Sequence, residues 1–542
     1  MNPTPSVSTG ATRGHRPRAA LAVLVLGLFM TLLDITIVNV AIPSMLSGLH
    51  ASLDQALWVL NAYSLLYAVL LITSARFGDI VGPRNLFAAG MGLFTLASVL
   101  SGMSQSPEQL IAARALQGFG AAIAAPQAMP LMLTLFPADR RGGVFAVYGI
   151  AGGLAVLAGP TLGGLLVTHF GWRWIFFVNL PVGVLTVALA MWLVPDLRPG
   201  RPHRFDLAGV GLATLGLVGI VFGLIEGERY SWGTITGFVT IPEIIGAGVL
   251  ALVLFLVQQA RRQDREPLLP FAVFRDRNFT LMTLVMAGLG FAMVGAYLPL
   301  TIYLQSVLGL SAIAAGLTIA PQPLAMMVSS GVASGLVGKV SGKYLLIPGL
   351  VVFGAGLAFI DWAMTADAGR WIFIPGLIAS GLGLGFVWTP VFSLATRDLR
   401  PDLAGVASGV VNTIQELGGV MAGAAIGAVL QSRLATALHD QAVHFSSQVP
   451  APYQGRFVDA FNGVAQHGFQ VGAGQTGAGV PAAIQAVAHQ VFAHAFVDAA
   501  RVSLLLPIGI IFLAAVATLG VRVRPLQPEA AEEVLGTQET AA

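Results

Sequence analysis

Two carboxylates and one guanidinium interrupt stretches of the sequence that are otherwise apolar. Asp34 is the only charge in residues 21–43, Arg114 lies in residues 108–136, and Glu416 lies in residues 404–431. In the middle of a bilayer, one such charge costs roughly 2.5–3.5 kcal/mol on insertion scales. A charge in this setting needs a partner, a ligand or a path for protons. Asp34, Arg114 and Glu416 are therefore candidate functional residues, and proton coupling is one role that they could have.

Asp34 and Arg114 are predicted to lie at similar depths. Arg114 follows Pro107 by seven residues, or about 10 Å along a helix, and Asp34 precedes Pro43 by nine, or about 13 Å. Both prolines mark the same predicted end of their helices. A direct or water-mediated contact between the two side chains is therefore geometrically allowed.

Glu416 lies among polar residues near the middle of its apolar stretch. Asn412 and Glu416 share a helical face at i, i+4, and Gln415 is adjacent. Three roles are open for the carboxylate. It couples to protons, it recognises a cationic substrate together with Asn412 and Gln415, or it forms a hydrogen bond between helices when protonated.

The composition places these residues in a membrane protein. The chain has 542 residues, of which 56% are hydrophobic and 10% charged, against about 25% charged in soluble proteins. The net charge of +3 predicts basic loops on an anionic leaflet and no nucleic-acid partner. The absence of Cys excludes disulfides and thiol chemistry. No Gly-rich phosphate loop followed by Lys is present, which argues against ATP hydrolysis.

Hydropathy predicts fourteen membrane spans, and the first is too long for a cleavable signal peptide. Most Arg and Lys residues lie in segments on one side, which predicts cytoplasmic N- and C-termini. The predicted spans are 19–42, 55–74, 84–104, 108–136, 142–168, 172–194, 206–226, 236–259, 280–304, 313–337, 344–366, 371–395, 404–431 and 502–522.

Residues 432–501 form the one long predicted loop, on the extracytoplasmic side. Within it, polar interruptions in residues 481–500 favour an amphipathic surface helix over a span. The spacing of its histidines fits no usual set of metal ligands, so no metal site is predicted. Those histidines are His439, His444, His467, His489 and His494.

Three short motifs carry a more specific signal. The turn 75–84, ARFGDIVGPR, contains Asp79, Gly82 and Arg84. Span four contains 110-LIAARALQGFGAA-122, and span five ends in Gly-Pro-x-x-Gly-Gly. In that ending, small residues let helices approach closely and the proline bends the helix. Its residues are Gly159, Pro160, Gly163 and Gly164.

These motifs resemble signatures of the major facilitator superfamily. Together with 32-LLDITIVNVAIP-43 and 171-GWRWIFFVNLPVG-183, they resemble its fourteen-span drug:proton antiporter branch. The resemblance implies that Asp79, Gly82 and Arg84 form a conformational latch. Ala75 and Ile80 depart from the family pattern, which suggests a weaker latch. The ending of span five resembles the antiporter motif of proton-coupled exporters.

The resemblance implies an all-α, polytopic membrane fold with two six-helix bundles and two inserted spans. The expected divisions are a cytoplasmic tail at 1–18, a first bundle at 19–194 and the inserted pair at 195–270. A second bundle at 271–522 and a cytoplasmic tail at 523–542 follow. Aligning Gly342 with Gly82 pairs Lys339 with Asp79, which predicts a charge-reversed repeat of the turn.

Aromatic and amide side chains in the spans are candidates to line a substrate path. Their flat apolar faces suit lipophilic or cationic compounds. The candidates are Trp58, Tyr63, Tyr67, Gln127, Tyr297, Gln322 and Trp388.

The expected function is proton-driven efflux of lipophilic or cationic drugs across the bacterial cytoplasmic membrane. The expected partners are amphiphilic or cationic small molecules and the lipid bilayer, with the proton as coupling ion and no other cofactor. A functional monomer is expected, and nothing in the sequence supports an adaptor protein. Three alternatives stay open: a dedicated exporter of one natural product, a translocator of lipids or amphiphiles, and a scaffold or receptor that does not transport.

Overall fold

Long apolar stretches of this chain fold into α-helices. The computed structural model describes residues 17–136, 141–196, 206–227, 229–264, 267–336, 340–397, 404–462 and 482–523. A two-stranded hairpin, β1 (Thr234–Thr236) and β2 (Val239–Thr240), interrupts the helices. In chain order the helices are α1 (Pro17–Leu49), α2 (Leu53–Val81), α3 (Pro83–Met103), α4 (Pro107–Ala124), α5 (Ala128–Leu135), α6 (Arg141–Phe170), α7 (Trp174–Phe177), α8 (Asn179–Leu193), α9 (Leu207–Glu226), α10 (Ile241–Arg261), α11 (Arg277–Ile302), α12 (Ala312–Ile319), α13 (Pro321–Leu336), α14 (Gly342–Ala363), α15 (Ile374–Thr396), α16 (Ala404–Phe445), α17 (Gln454–Asn462) and α18 (Ala482–Thr518).

Thirteen helical stretches in the described ranges are long and apolar enough to cross a membrane. They coincide with thirteen of the fourteen predicted spans. The other one, 108–136, is divided into α4, a 3₁₀ turn at Ala125–Gln127, and α5. Pro126 lies in that turn, and a proline has no N–H to continue the helical hydrogen bonds. The predicted count of fourteen is therefore consistent with the structure.

The predicted helix at 481–500 is present from Ala482, but its assignment to a loop before the last span is wrong. This segment is the first half of α18, which runs without a break into the last predicted span. Helix α16 likewise continues to Phe445, well beyond the predicted end at residue 431. At 42 residues α16 is about 63 Å long, about twice the thickness of the hydrocarbon core.

Packing between α16 and α18 explains why sequence reasoning failed in this region. Leu434 and Leu438 of α16 and Val491 and Phe496 of α18 are buried, so the two helices cover apolar faces that were assigned to a surface helix. The polar interruptions lie on their exposed sides. Of the five histidines, His439, His444, His489 and His494 therefore belong to helices and not to a loop, and His467 lies outside the described residues.

The chain divides into two units. Of the described residues, the first comprises those from 17 to 268 together with Leu310–Gly316. Within it, α1 packs on α6 and α8, α4 packs on α2 and α3, and α3 also packs on α8. The inserted helices α9 and α10 pack on each other, and α9 contacts α2.

The second unit repeats this order of helix pairs. Of the described residues, it comprises Leu269–Gly309 and those within 317–462 and 482–523. Here α11 packs on α16 and α18, α15 packs on α13 and α14, and α14 also packs on α18. Helices α11, α13, α14, α15, α16 and α18 thus correspond in order to α1, α2, α3, α4, α6 and α8. The internal repeat expected from the sequence is visible as a repeated packing pattern.

Matching backbone features show which residues of the two units correspond, and they lie 259 residues apart in the sequence. His50 and Gly309 both have positive φ, at 51° and 64°. Two residues further on, the hydroxyls of Ser52 and Ser311 both accept a backbone N–H three residues ahead.

This register corrects the predicted alignment of the turn 75–84 by one residue. Gly82 precedes α3 as Ser341 precedes α14, so Arg84 corresponds to Lys343 and the charge is retained. The residue that corresponds to Asp79 is Gly338, which lies outside the described residues. The alignment of Gly342 with Gly82, and with it the predicted charge reversal at Lys339, is therefore wrong.

Candidate functional site

Asp34 lies in the interior of the first unit, on α1. Its residue is 0% exposed, and Arg114 on α4 is 1% exposed. Arg114 Nη1 donates a hydrogen bond to Asp34 Oδ2 at 2.6 Å. The contact that the matching depths allowed is present as a direct, fully buried ion pair.

Two further side chains hold the other carboxylate oxygen, and sequence reasoning missed both. Gln117 Nε2 and Asn179 Nδ2 donate to Asp34 Oδ1 at 2.7 and 3.0 Å. Gln117 also accepts from Arg114 Nη1 at 2.7 Å. Asn179 donates in addition to Ser98 Oγ at 3.0 Å. The carboxylate therefore links α1, α4 and α8.

Aromatic rings enclose the Arg114 guanidinium. Its Cζ lies 4.4 Å from the ring centroid of Tyr63 and 5.9 Å from that of Phe176. Arg114 Nε also donates to the carbonyl oxygen of Val59 at 3.3 Å. Cation–π contacts and the exclusion of water strengthen the attraction between the buried charges.

Both carboxylate oxygens of Asp34 are occupied by donors from two neighbouring helices. In the geometry described, Asp34 accepts three hydrogen bonds, one from Arg114 and two from side-chain amides. Protonation would turn one oxygen into a donor and leave Arg114 without its counter-ion. A buried cation without a partner is costly, so Asp34 and Arg114 stabilise each other only while both are charged.

The predicted latch residues lie at the turn between α2 and α3. Gly82 has a φ of 96°, a left-handed conformation that glycine adopts readily. Arg84 pairs with Asp196 at 3.3 Å, just after the end of α8. The side chain of Asp79 lies outside the described set. Within one unit, Arg84 thus ties the start of α3 to the end of α8, and the latch stays a prediction.

The predicted antiporter motif brings α6 close to the helix that carries Asp34. A Cβ added to Gly159 would overlap the side chain of Thr36, and one added to Gly163 would lie 2.8 Å from Ile37 Cγ1. Pro160 lies inside the continuous helix α6. Gly164 faces Ile313, which groups with the same unit. Two glycines therefore set the spacing between α6 and α1 two to three residues from Asp34.

Substitution of Gly159 by alanine is expected to lower transport by about tenfold or more, because α1 must move to admit the new methyl group. The matched control is Gly152→Ala on the same helix, where an added Cβ would lie 3.4 Å from Leu32 Cδ1, an ordinary contact. Dye efflux, normalised to the amount of protein in the membrane, measures both. Equal efflux by the two variants would refute a role for this spacing.

The substrate-lining candidates of the first unit occupy packed positions. Trp58 Nε1 donates to Glu226 of the inserted helix α9 at 3.0 Å. Gln127 Nε2 donates to the carbonyl oxygen of Ser74 at 2.8 Å, and Tyr67 stacks on Tyr63. Trp58 thus docks the inserted pair on α2, whereas Tyr63 and Tyr67 belong to the surroundings of Arg114.

The candidates of the second unit fall into two places. Tyr297 Oη donates to Gln322 Oε1 at 2.8 Å beside a cavity. Trp388 stacks on Phe392. The indole N–H of Trp388 is buried and has no hydrogen-bond partner in the described part of the chain.

Glu416 is half-buried on α16, and Asn412 on the same helix is exposed within its own unit. Among the described residues, no side chain forms a salt bridge with Glu416, in contrast to Asp34. The backbone of Gln415 packs against Gly290 of α11. Glu416 therefore differs from Asp34 in having no buried counter-ion there.

The comparisons with known proteins agree with this fold. The Major Facilitator Superfamily profile matches residues 24–423, and the chain belongs to this superfamily of membrane transporters. It is a multi-pass membrane transporter and not an enzyme. The helices, the repeat and the buried ion pair are thus features of a transport protein.

Several relatives are named for resistance or export. The puromycin resistance protein of Streptomyces alboniger is 35% identical over 83% of this chain and 89% of its own length. The tetracenomycin C resistance and export protein of Streptomyces glaucescens is 31% identical over 79% of this chain and 78% of its own length. An MFS-type transporter of Mycobacterium tuberculosis is 39% identical over 79% of this chain and 73% of its own length.

Among solved structures, a bacterial homolog of the human lysosomal transporter Spinster matches with a TM-score of 0.60 and 16% identity. The match covers 95% of this chain and 100% of that one. At this identity it supports the fold alone.

Proposed function

We propose that this protein exports lipophilic or cationic drugs or antibiotics across the bacterial cytoplasmic membrane in exchange for protons. The observation that carries the proposal is the buried Asp34–Arg114 pair with its two amide donors. The glycines of α6 against α1 support it, since they match the motif of proton-coupled exporters. Relatives named for drug and antibiotic resistance support the class of substrate.

In the proposed cycle, a proton from outside reaches Asp34 and releases Arg114. The two helical repeats then alternate access to a substrate site by moving about it. Loss of the proton to the cytoplasm restores the pair between Asp34 and Arg114. Each proton that moves down 100 mV supplies about 2.3 kcal/mol, enough to sustain a drug gradient without ATP.

The expected setting is a functional monomer with both termini in the cytoplasm; an adaptor protein is possible but unsupported. Export of ethidium from cells that produce the protein tests the proposal. Efflux should stop when a protonophore collapses the gradient and should persist when ATP is depleted but the gradient is maintained. Efflux that follows ATP and not the gradient would refute proton exchange.

A dedicated exporter of one natural product is the second candidate. Relatives named for puromycin, tetracenomycin and actinorhodin favour it, because each name refers to one compound. Competition for efflux across a chemically mixed panel separates the candidates. Competition by one scaffold alone would favour the dedicated exporter, and competition by many would favour a multidrug exporter.

The Glu416→Gln variant is expected to show which role this carboxylate has. If Glu416 recognises cations, the variant loses efflux of cationic ethidium and keeps efflux of a neutral dye, since only a cation needs the charge. If it couples to protons, both dyes are affected alike. Efflux of both dyes at the wild-type rate would leave Glu416 a purely structural role.

A further inference from the structure

The repeat register identifies the place in the second unit that corresponds to the Asp34 cluster. The π-helical turn Tyr303–Val307 adds about one residue to the end of α11, so Asp34 falls at the adjacent Ala292 and Met293. With the separation of 259 residues, Tyr63 corresponds to Gln322. Glycine contacts confirm this pair independently. A Cβ on Gly118 would overlap the carbonyl oxygen of Tyr63, and one on Gly381 would overlap that of Gln322.

The same glycines fix the register of α4 against α15 at 263 residues. Gly118 matches Gly381, so Arg114 corresponds to Leu377 and Gln117 to Ser380. Each charged residue of the first cluster thus has an uncharged counterpart in the second unit. The sequence shows this exchange only after the structure has fixed the register.

A cavity lies at this place in the second unit. Met293, Gln322 and Leu377, the counterparts of Asp34, Tyr63 and Arg114, all line it. Phe353 and Leu504 contribute to the apolar wall, and none of the described residues that line the cavity is charged. Where the first unit is filled by an arginine and its partners, the second holds a small apolar cavity of about 20 Å³.

One hydrogen-bonded chain forms the polar part of the wall. Tyr297 Oη donates to Gln322 Oε1 at 2.8 Å, and Gln322 Nε2 donates to Ser380 Oγ at 3.1 Å. An amide nitrogen carries two hydrogens, so Gln322 keeps one more N–H to donate. Gln322 and Ser380 are buried, and the second amide N–H of Gln322 has no acceptor among the described residues.

We propose that this cavity binds an uncharged, lipophilic part of the transported substrate, whose hydrogen-bond acceptor faces the Gln322 amide. The inference rests on the proposed export function and adds the chemistry of one subsite. A charged group would lose its hydration there without gaining a partner. The cavity is narrow, so it takes the edge of a ring or a short alkyl group, and the flexible Met293 side chain adapts to it.

Filling the cavity should therefore separate neutral from cationic substrates. In Ala296→Leu, the added side-chain atoms occupy the cavity that Ala296 lines. Efflux of neutral Nile red should fall by about tenfold, because burial of an apolar group of this size contributes about that factor in affinity. Efflux of ethidium should change little. The control is Val351→Leu on α14, where the side chain is 42% exposed.

Thiol labelling tests the same subsite without transport. The chain contains no Cys, so Met293→Cys introduces a unique thiol into the cavity wall. Nile red should slow the reaction of this thiol with N-ethylmaleimide in purified protein, and ethidium should not. The conservative Tyr297→Phe variant keeps the cavity but loses the hydroxyl, and should weaken that protection.

The outcomes distinguish this inference from the export proposal. Two results with Ala296→Leu would overturn the subsite: an equal loss of efflux for both dyes, or no loss for either. Failure of Nile red to protect the Met293→Cys thiol would also overturn it. Failure of wild-type efflux to depend on the proton gradient would overturn the export proposal and leave the labelling result standing.

Discussion

Replacement of Asp34 by asparagine is expected to abolish proton-driven efflux while the protein stays folded and inserted. The asparagine has nearly the same shape, and its carbonyl oxygen still accepts a hydrogen bond from Arg114 or Gln117. It carries no proton that can be exchanged between pH 5 and 9. Efflux of ethidium and Nile red should therefore fall to the level of cells without the protein.

The control for Asp34→Asn is the same change at Asp264, an exposed residue after α10. That variant should transport at the wild-type rate. Both variants should insert and elute as a single species in detergent, but Asp34→Asn should melt at a lower temperature because Arg114 loses its counter-ion. Full drug resistance in Asp34→Asn would show that the coupled proton binds elsewhere, with Glu416 as the next candidate.

Loss of Arg114 is expected to have the largest effect on stability. In Arg114→Met, Asp34 stays buried without its cation, and the removal of one partner of a buried pair typically costs about 3–5 kcal/mol. The methionine also gives up the stacking on Tyr63 and the hydrogen bond to Val59. The melting temperature in detergent should fall by several degrees or more.

The double variant Asp34→Asn/Arg114→Met separates charge from packing. With both charges removed, the melting temperature should recover most of the loss, because no uncompensated charge remains. Transport should remain absent. A single Arg114→Met variant as stable as wild type would contradict the buried pair.

The sequence predicted the central pair but not its full set of partners. Prolines near the helix ends gave the depths of Asp34 and Arg114, whereas rotation about a helix axis depends on packing that one sequence does not show. Gln117 could have been found, since it lies three residues after Arg114 on the same face. Asn179 had no such signal, because it comes from a helix 145 positions further along the chain.

Register and helix ends were harder to predict for a related reason. The turn at 335–343 was aligned on a glycine, but the repeat is set by positive φ at Gly309 and by the serine hydroxyl of Ser311. The length of α18 was missed because polar residues at 481–500 resemble a surface helix, while its apolar side is covered by α16. In both cases the deciding contact lies far away in the sequence.

Asp34 and Arg114 of the first unit correspond to the uncharged Met293 and Leu377 of the second. We infer that the two repeats have different roles in transport. The first unit holds a buried ion pair, and the second holds an uncharged cavity at the corresponding place. A transporter built in this way would couple to protons through one repeat and would select part of its substrate through the other.

Substrate-induced proton release by the purified protein tests the central claim most directly. Ethidium is added to the wild type, Asp34→Asn and Glu416→Gln in weakly buffered detergent solution, and the pH change is recorded with binding measured in parallel. We expect the wild type to release protons and Asp34→Asn to bind ethidium without release. Proton release by Asp34→Asn equal to that of the wild type would contradict the assignment of the coupled proton to Asp34.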